Sequence, residues 1–101
     1  MYRKTWKENE WQIVKVIKSE LVDYGFNKLA VKLTLVNEEM GRGNFLIFAN
    51  NTILINELIA ITYGYYKQHD VDEEDFIGLE MFVWLEERNG YLNITNLASV
   101  N

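Results

Sequence analysis

The chain reads as a mainly β fold of five strands, with one helix between the third and the fourth, in the order β-β-β-α-β-β. Three features predict it. Lys28 to Val36 alternate apolar and polar side chains without a break. The apolar period then lengthens to that of a helix between Ile53 and Tyr63, and Gly64 stands where a left-handed residue would end it. Finally, Asn89-Gly90 is a strong hairpin signal, because a type I′ turn needs positive φ at both central residues.

Each element follows in order. Trp11 to Leu21 is β-branched and apolar, interrupted by Lys15 and Lys18, and is the first strand. Asp23-Tyr24-Gly25-Phe26-Asn27 places turn residues around two aromatics and forms the next hairpin loop. In the second strand Leu29, Val31, Leu33 and Leu35 share one face, while Lys28, Ala30, Lys32 and Thr34 share the other. That is the pattern of a half-buried strand. Gly41-Arg42-Gly43, within Glu38 to Asn44, reads as a second turn, and Phe45 to Ala49 as the third strand. Asn51 or Thr52 caps a helix over about residues 53–63, extending toward Lys67, with Ile53, Leu54, Leu58, Ile61 and Tyr65 at helical spacing. An acidic loop, His69 to Asp75, leads to a fourth strand from Phe76 to Glu87. There Leu79, Met81, Val83 and Leu85 oppose Glu80, Phe82, Trp84 and Glu86, and Tyr91 to Ala98 pairs back as the fifth strand. This is the plan of the OB-fold, a partly open five-stranded Greek-key barrel, an order other α+β sheets share. Residues 1–101 are read as one domain, with 1–10 as a flexible arm.

Composition excludes several classes. The 101 residues are 49% hydrophobic with no cysteine, so a core is affordable and a disulfide framework or thiolate chemistry is not available. The early positive charge at Arg3 and Lys4 is not followed by an apolar stretch, so no signal peptide is read, and no window is long enough to span a membrane. The expected location is cytoplasmic. Net charge is −5 but uneven: residues 1–42 hold eight basic and six acidic side chains, residues 43–101 two basic and nine acidic. Such asymmetry predicts an electrostatically divided surface. The overall sign opposes strong non-specific duplex binding, which depends on neutralising many phosphates.

The chemistry-bearing residues point to binding and not to catalysis. His69 is the single histidine, and neither Ser19 nor Ser99 sits in a nucleophile turn. Counted from Asp70, the sixth residue is Asp75 where a calcium loop needs glycine, and the twelfth is Met81 where it needs glutamate. No metal site and no cofactor is therefore assigned, and the chain is not read as an enzyme. What remains is aromatic and basic interleaving. An OB barrel binds oligonucleotides on its strand 2–3 face and through the loops joining strands 1–2 and 4–5. On that plan Tyr24, Phe26 and Phe48 offer rings for bases, and Lys15, Lys28, Lys32, Arg42 and Arg88 offer charge for a backbone. The three tryptophans, Trp6, Trp11 and Trp84, are read as core or semi-buried.

Several segments also resemble a known group. Trp11-Gln12-Ile13-Val14-Lys15-Val16, the strand Leu29 to Val36, the helix ending Ile61-Thr62-Tyr63-Gly64, and Phe76-Ile77-Gly78-Leu79 before a strand are similar to small phage proteins of replication and recombination gene clusters. So is Leu92-Asn93-Ile94 after the following turn. Those proteins form a domain-of-unknown-function family related to phage single-stranded-DNA-binding proteins with OB-folds. The resemblance, over most of residues 11–98, implies an OB barrel that binds single-stranded DNA. A departure is that the acids lie in an internal loop, whereas many single-strand binders carry them at the C-terminus. The alternative is a small acidic phage inhibitor of a host nucleic-acid enzyme or defence system, such as an anti-CRISPR. In that case Asp70, Asp72, Glu73, Glu74 and Asp75 would meet a basic groove on a host protein. Exposed β edges make a homo-oligomer a further expectation.

Overall fold

The structure, a computed structural model, describes residues 5–65 and 69–100. The strands are β1 (Trp11–Asp23), β2 (Leu29–Asn37), β3 (Arg42–Phe48), β4 (Glu80–Arg88) and β5 (Tyr91–Ser99), with helix α1 (Thr52–Tyr63) between β3 and β4. All neighbouring strands are antiparallel, in the order β3-β2-β1-β4-β5. The two edge strands, β3 and β5, approach each other without forming a ladder. The sheet is thus curled into an OB-like barrel with one open seam, as the order of elements predicts.

The curl originates in β1. Its first half, Trp11 to Lys15, pairs with β4, and Val14 to Asp23 pair with β2. Between Val16 and Lys18 the register slips at Ile17, a bulge that bends the strand and raises its twist. Gln12, Val14 and Val16 point inward before the bulge and Ser19 after it, so the buried phase shifts by one residue. Inside, Val14, Val16, Leu33, Leu35, Ile47, Met81, Val83 and Leu85 are fully buried and belong to one hydrophobic cluster. Each large apolar side chain withdrawn from water in this way contributes about 1.5–3 kcal/mol. Helix α1 buries Leu54, Leu58 and Ile59 and packs on β5 and β3 near the seam. Asn51 is its N-cap, accepting the Leu54 N–H at 3.3 Å, and Gly64 closes it in the left-handed region at φ 79°. Asn89 and Gly90 have φ of 53° and 83°, the conformation the hairpin signal requires.

Four expectations need correction. Gly41-Arg42-Gly43 is not a turn: Arg42 opens β3 opposite Val36. The chain reverses earlier because the buried Asn37 carboxamide accepts the N–H groups of Glu39 (3.1 Å) and Gly41 (2.7 Å). The fourth strand begins at Glu80 and not at Phe76. Glu73–Phe76 is a 3-10 turn capped by Asp72, and Gly78 and Leu79 bond Val16 before the β4 ladder starts. Trp11 is 45% exposed, outside the core, on the outer face of the sheet. And residues 5–10 are not a free arm. Trp6 is only 3% exposed and packs edge-on against Phe45 at 5.0 Å. Asn37 Nδ2 donates to the Thr5 carbonyl at 2.6 Å, Gln12 Nε2 to that of Lys7 at 2.8 Å, and Asn9 N–H to that of Leu85 at 2.9 Å. Lys67, the far limit expected for the helix, lies outside the described residues, as do residues 1–4. No helix among the described residues is long and apolar enough to cross a membrane.

The docking of Trp6 depends on close approach at Gly41. A Cβ there would run into Thr5 Oγ1 and lie 2.9 Å from Thr5 Cβ. Gly41→Ala is therefore expected to push the 5–10 segment off the barrel at a cost of about 1–3 kcal/mol. Urea denaturation would show a lower midpoint, with tryptophan emission red-shifted in the native state. An unchanged midpoint and emission maximum would rule this coupling out.

Candidate functional site

The strand registers fix which side chains share the outer face of β1, β2 and β3. Cross-strand neighbours there form the rows Val22–Ala30–Phe48, Glu20–Lys32–Leu46, Lys18–Thr34–Asn44 and Lys15–Val36–Arg42. Of the predicted residues, Lys15, Lys32, Arg42 and Phe48 thus lie on one surface. From the first row to the last is six residues of strand, roughly 20 Å at about 3.3 Å per residue. On these three strands the face is cationic apart from Glu20, whose carboxylate lies 3.6 Å from Lys18 Nζ and 4.0 Å from Lys32 Nζ, and exposed Glu80 of β4 stands opposite Lys15 at its border. Both pairs are solvent-exposed, so each is worth about 0–1 kcal/mol and yields readily to a competing anion.

The aromatic end of this face is built by the β1–β2 loop. Asp23 Oδ1 accepts the Gly25 N–H at 2.8 Å, and Tyr24 N–H donates to the Lys28 carbonyl at 2.9 Å, which sets a tight loop. The Tyr24 ring lies 6.1 Å from that of Phe48 at 45°, and the two are 51% and 38% exposed. Phe26 is 97% exposed at the loop tip with φ 50°. A bulky residue in the left-handed region is a backbone outlier, and an unburied phenylalanine forgoes about 1.5–3 kcal/mol of burial. The fold itself gives no return for either. Lys28, Leu29, Asn27 and Asn50 surround Phe48 in a hollow of about 250 Å3.

Phe48 also lines a larger groove of about 760 Å3, running along the seam between β3 and β5. Arg88 and Asn89 of the β4–β5 hairpin, with Tyr91, form part of its wall. Phe48 therefore shares the larger groove with Arg88 and the smaller hollow with Lys28, and its ring pairs with Tyr24. Arg88 is 4.0 Å from Glu86, in another exposed pair.

Sequence reasoning missed several members of this surface. Strict alternation puts Lys18 out of phase with Lys15, and only the bulge at Ile17 brings both outward. Leu46 and Asn44 enter through the β2–β3 ladder, and Tyr91 and Asn93 line the seam through the approach of β5 to β3, which has no local signal. A separate outer surface was also missed: Trp11 and Trp84 pair edge-to-face at 5.5 Å across β1 and β4, next to the Ile13–Phe82 pair.

The acidic segment is less uniform than its composition implies. Asp72 Oδ1 accepts the Glu74 N–H at 3.0 Å, capping the 3-10 turn. Tyr63 Oη donates to Asp75 Oδ2 at 2.7 Å and accepts from the Asp72 N–H at 3.2 Å. Asp72 and Asp75 thus tie the segment to α1, Glu73 is half-buried, and Asp70 and Glu74 face solvent. Among the described residues, no three His, Asp or Glu side chains gather as a cation would require. The hydrogen bond to the Asp75 carboxylate raises the Tyr63 pKa above 10.0. The tie is therefore complete below that value and is lost as the pH climbs through the raised one. Tyr63→Phe is expected to speed amide exchange at Asp72 and Asp75 at neutral pH, while costing global stability about 0.5–1.5 kcal/mol or less. Exchange at wild-type rates in the variant would show that the hydroxyl does not hold the segment.

Comparison with known proteins gives no matching family model and no matching curated relative.

Proposed function

We propose that this protein is a phage or prophage single-stranded-DNA-binding module. The observation that carries the reading is the continuity of one outer face. Lys15, Lys18, Lys32 and Arg42 run along it to the Tyr24–Phe48 ring pair, with Phe26 held out in solvent at the same end. A single strand needs these two things together, since cations track its phosphates and rings stack its exposed bases. Each stacked base supplies about 1–3 kcal/mol, so the rings set the affinity and the lysines the salt dependence. The strand lies across the β2–β3 face, its bases on Phe48, Tyr24 and Phe26 and its backbone on Lys15, Lys28, Lys32 and Arg42. Arg88 closes the far side.

The inhibitor reading, in which a host protein is the partner, draws on the net charge of −5 and the run Asp70 to Asp75. Its weaker support is that Asp72 and Asp75 are engaged in holding the segment on α1.

Titration of an oligothymidine, followed by intrinsic fluorescence and gel shift, tests the proposal. Quenching is expected at low salt. With four phosphates neutralised, the affinity should fall with a log–log salt slope of about −3, taking about 0.7 per phosphate on a single strand. Absence of binding at low salt by both methods would end the reading. Phe48→Ala should weaken binding by about 1–3 kcal/mol without altering the salt slope.

Glu20→Gln offers a test in the opposite direction. Removing the carboxylate that Lys18 and Lys32 share frees both, so binding should tighten roughly two- to fivefold at low salt. Charge reversal at Glu73 and Glu74 should leave DNA affinity within that range. An E20Q variant that binds no better than wild type would show that the strand does not cross this face.

A further inference from the structure

The outer face of β1, β4 and β5 carries an apolar patch beside the candidate DNA surface. The strand registers fix its rows: Trp11–Trp84–Asn96, then Ile13–Phe82–Ala98, then Lys15–Glu80. Trp11 is exposed, and Ile13, Phe82, Trp84 and Ala98 are half-buried. The two indoles touch edge to face at 5.5 Å and 73°. Aromatic and aliphatic side chains left together in water on a sheet face mark an interaction surface.

The third row decides what fits this patch. Lys15 and Glu80 are both exposed and stand side by side with opposite charge. An acidic partner would be repelled by Glu80, and a basic one by Lys15. A second copy of the chain brings one charge of each sign. Two sheets packed face to face lie about 10 Å apart, with their strands within about 30°. A two-fold axis parallel to the strands, midway between β1 and β4, exchanges those strands and lays every row on itself. Trp11 then faces Trp84 of the second copy, Ile13 faces its Phe82, and Lys15 faces its Glu80. A two-fold axis across the strands would instead lay the charged row on the tryptophans, taking both charges out of water without partners. The charges therefore select the first arrangement.

We propose that the protein forms a homodimer through this patch, about the two-fold axis that runs along β1 and β4. The contact is isologous, so it closes at two chains. The curled sheet is convex on its outer side, and β2 and β3 turn away from the axis. Of the cations on the candidate DNA face only Lys15 enters the contact, while Lys18, Lys32 and Arg42 stay open. Beyond the tryptophans, Glu86 lies at the rim, held within its own chain by the Thr95 hydroxyl at 3.0 Å. The patch is much smaller than the roughly 20–30 residues a side of a standard interface, so the dimer is weak and concentration-dependent.

Sedimentation of the full chain over a concentration series, from roughly 10 μM to 1 mM, tests this. The mass is expected to rise from one chain and level off at two. Trp11→Ser should weaken association about tenfold or more. The decisive variants are Lys15→Glu and Glu80→Lys. Each sets like charges against each other twice across the two-fold, so each alone should associate about tenfold or more weakly than wild type. Mixed one to one, they should pair with an affinity near that of wild type, because every cross-axis contact is again between opposite charges. Each variant keeps its own like-charge pair across the β1–β4 ladder in the mixture, so recovery on mixing can come only from contact between chains. A wild type that stays monomeric to the highest concentration would overturn the dimer. Variants that associate as well as wild type, or that do not recover on mixing, would overturn this face and axis. Oligonucleotide is absent from the experiment, so its outcome is independent of the single-strand reading.

Discussion

The pairing of β1 on both of its sides is the constraint on which the rest of the molecule depends. One strand serves two neighbours because it bends at Ile17, giving its first half to β4 and its second to β2. A flat strand of 13 residues could do this only as the middle of an open sheet. The bulge adds the local bend and twist that curl the sheet, which brings the β3 and β5 edges face to face. It has a second effect on the surface. Inserting one residue reverses the in-out phase, so Lys15 and Lys18, three apart, both emerge on the outer face. The curl of the barrel and the charge of its candidate binding face thus have a common origin.

Much of the fold was legible because it rests on local rules. The alternation, the Asn89-Gly90 turn and the Gly64 stop each depend on residues within one element; the turn and the stop hold, and the alternation holds from Val31 to Leu35, with Leu29 exposed and Ala30 buried at the strand's start. What local rules missed was set by distant partners. Gly41-Arg42-Gly43 looks like a turn until Asn37, four residues before Gly41, takes over the reversal with its side chain. Trp6 looks like part of a loose end until the Thr5 carbonyl meets Asn37 and the indole meets Phe45. The same division applies to the candidate site. Lys32 and Phe48 could be placed from strand phase alone. The seam groove could not, because it is lined from β3 and β5, strands that share no ladder and leave no spacing in the sequence.

The net charge of −5 is a poor guide to what the barrel attracts. At physiological ionic strength the screening length is about 8 Å, so an approaching strand responds to the side chains nearest it and little to the total. On the β1–β2–β3 face those neighbours are Lys15, Lys18, Lys32 and Arg42, opposed by Glu20 and, across the β1–β4 ladder from Lys15, by Glu80. The segment Asp70 to Asp75 is held elsewhere, on α1, through Tyr63. A divided surface of this kind orients a polyanion: it is drawn to one wall and repelled from the acidic segment, which limits the register in which it can lie.

The least economical feature of the molecule is the tip of the β1–β2 loop, and it bears most directly on function. Asp23 and Gly25 fix the loop, and the chain then passes through two consecutive left-handed residues, Phe26 and Asn27, at φ of 50° and 62°. Asparagine tolerates that conformation through its short polar side chain, whereas phenylalanine does not, and glycine at position 26 would relieve the strain. Stability alone would favour glycine or a polar residue at position 26, since the ring buries nothing. A phenylalanine there is explained if its partner is absent from the isolated chain. The Tyr24–Phe48 pair at the foot of the same loop, tilted at 45° and partly exposed, is the aromatic surface nearest to it in the chain. On the proposed single-strand reading, strain and exposure at Phe26 would be the folded-state cost of a surface completed only when a base is stacked on it.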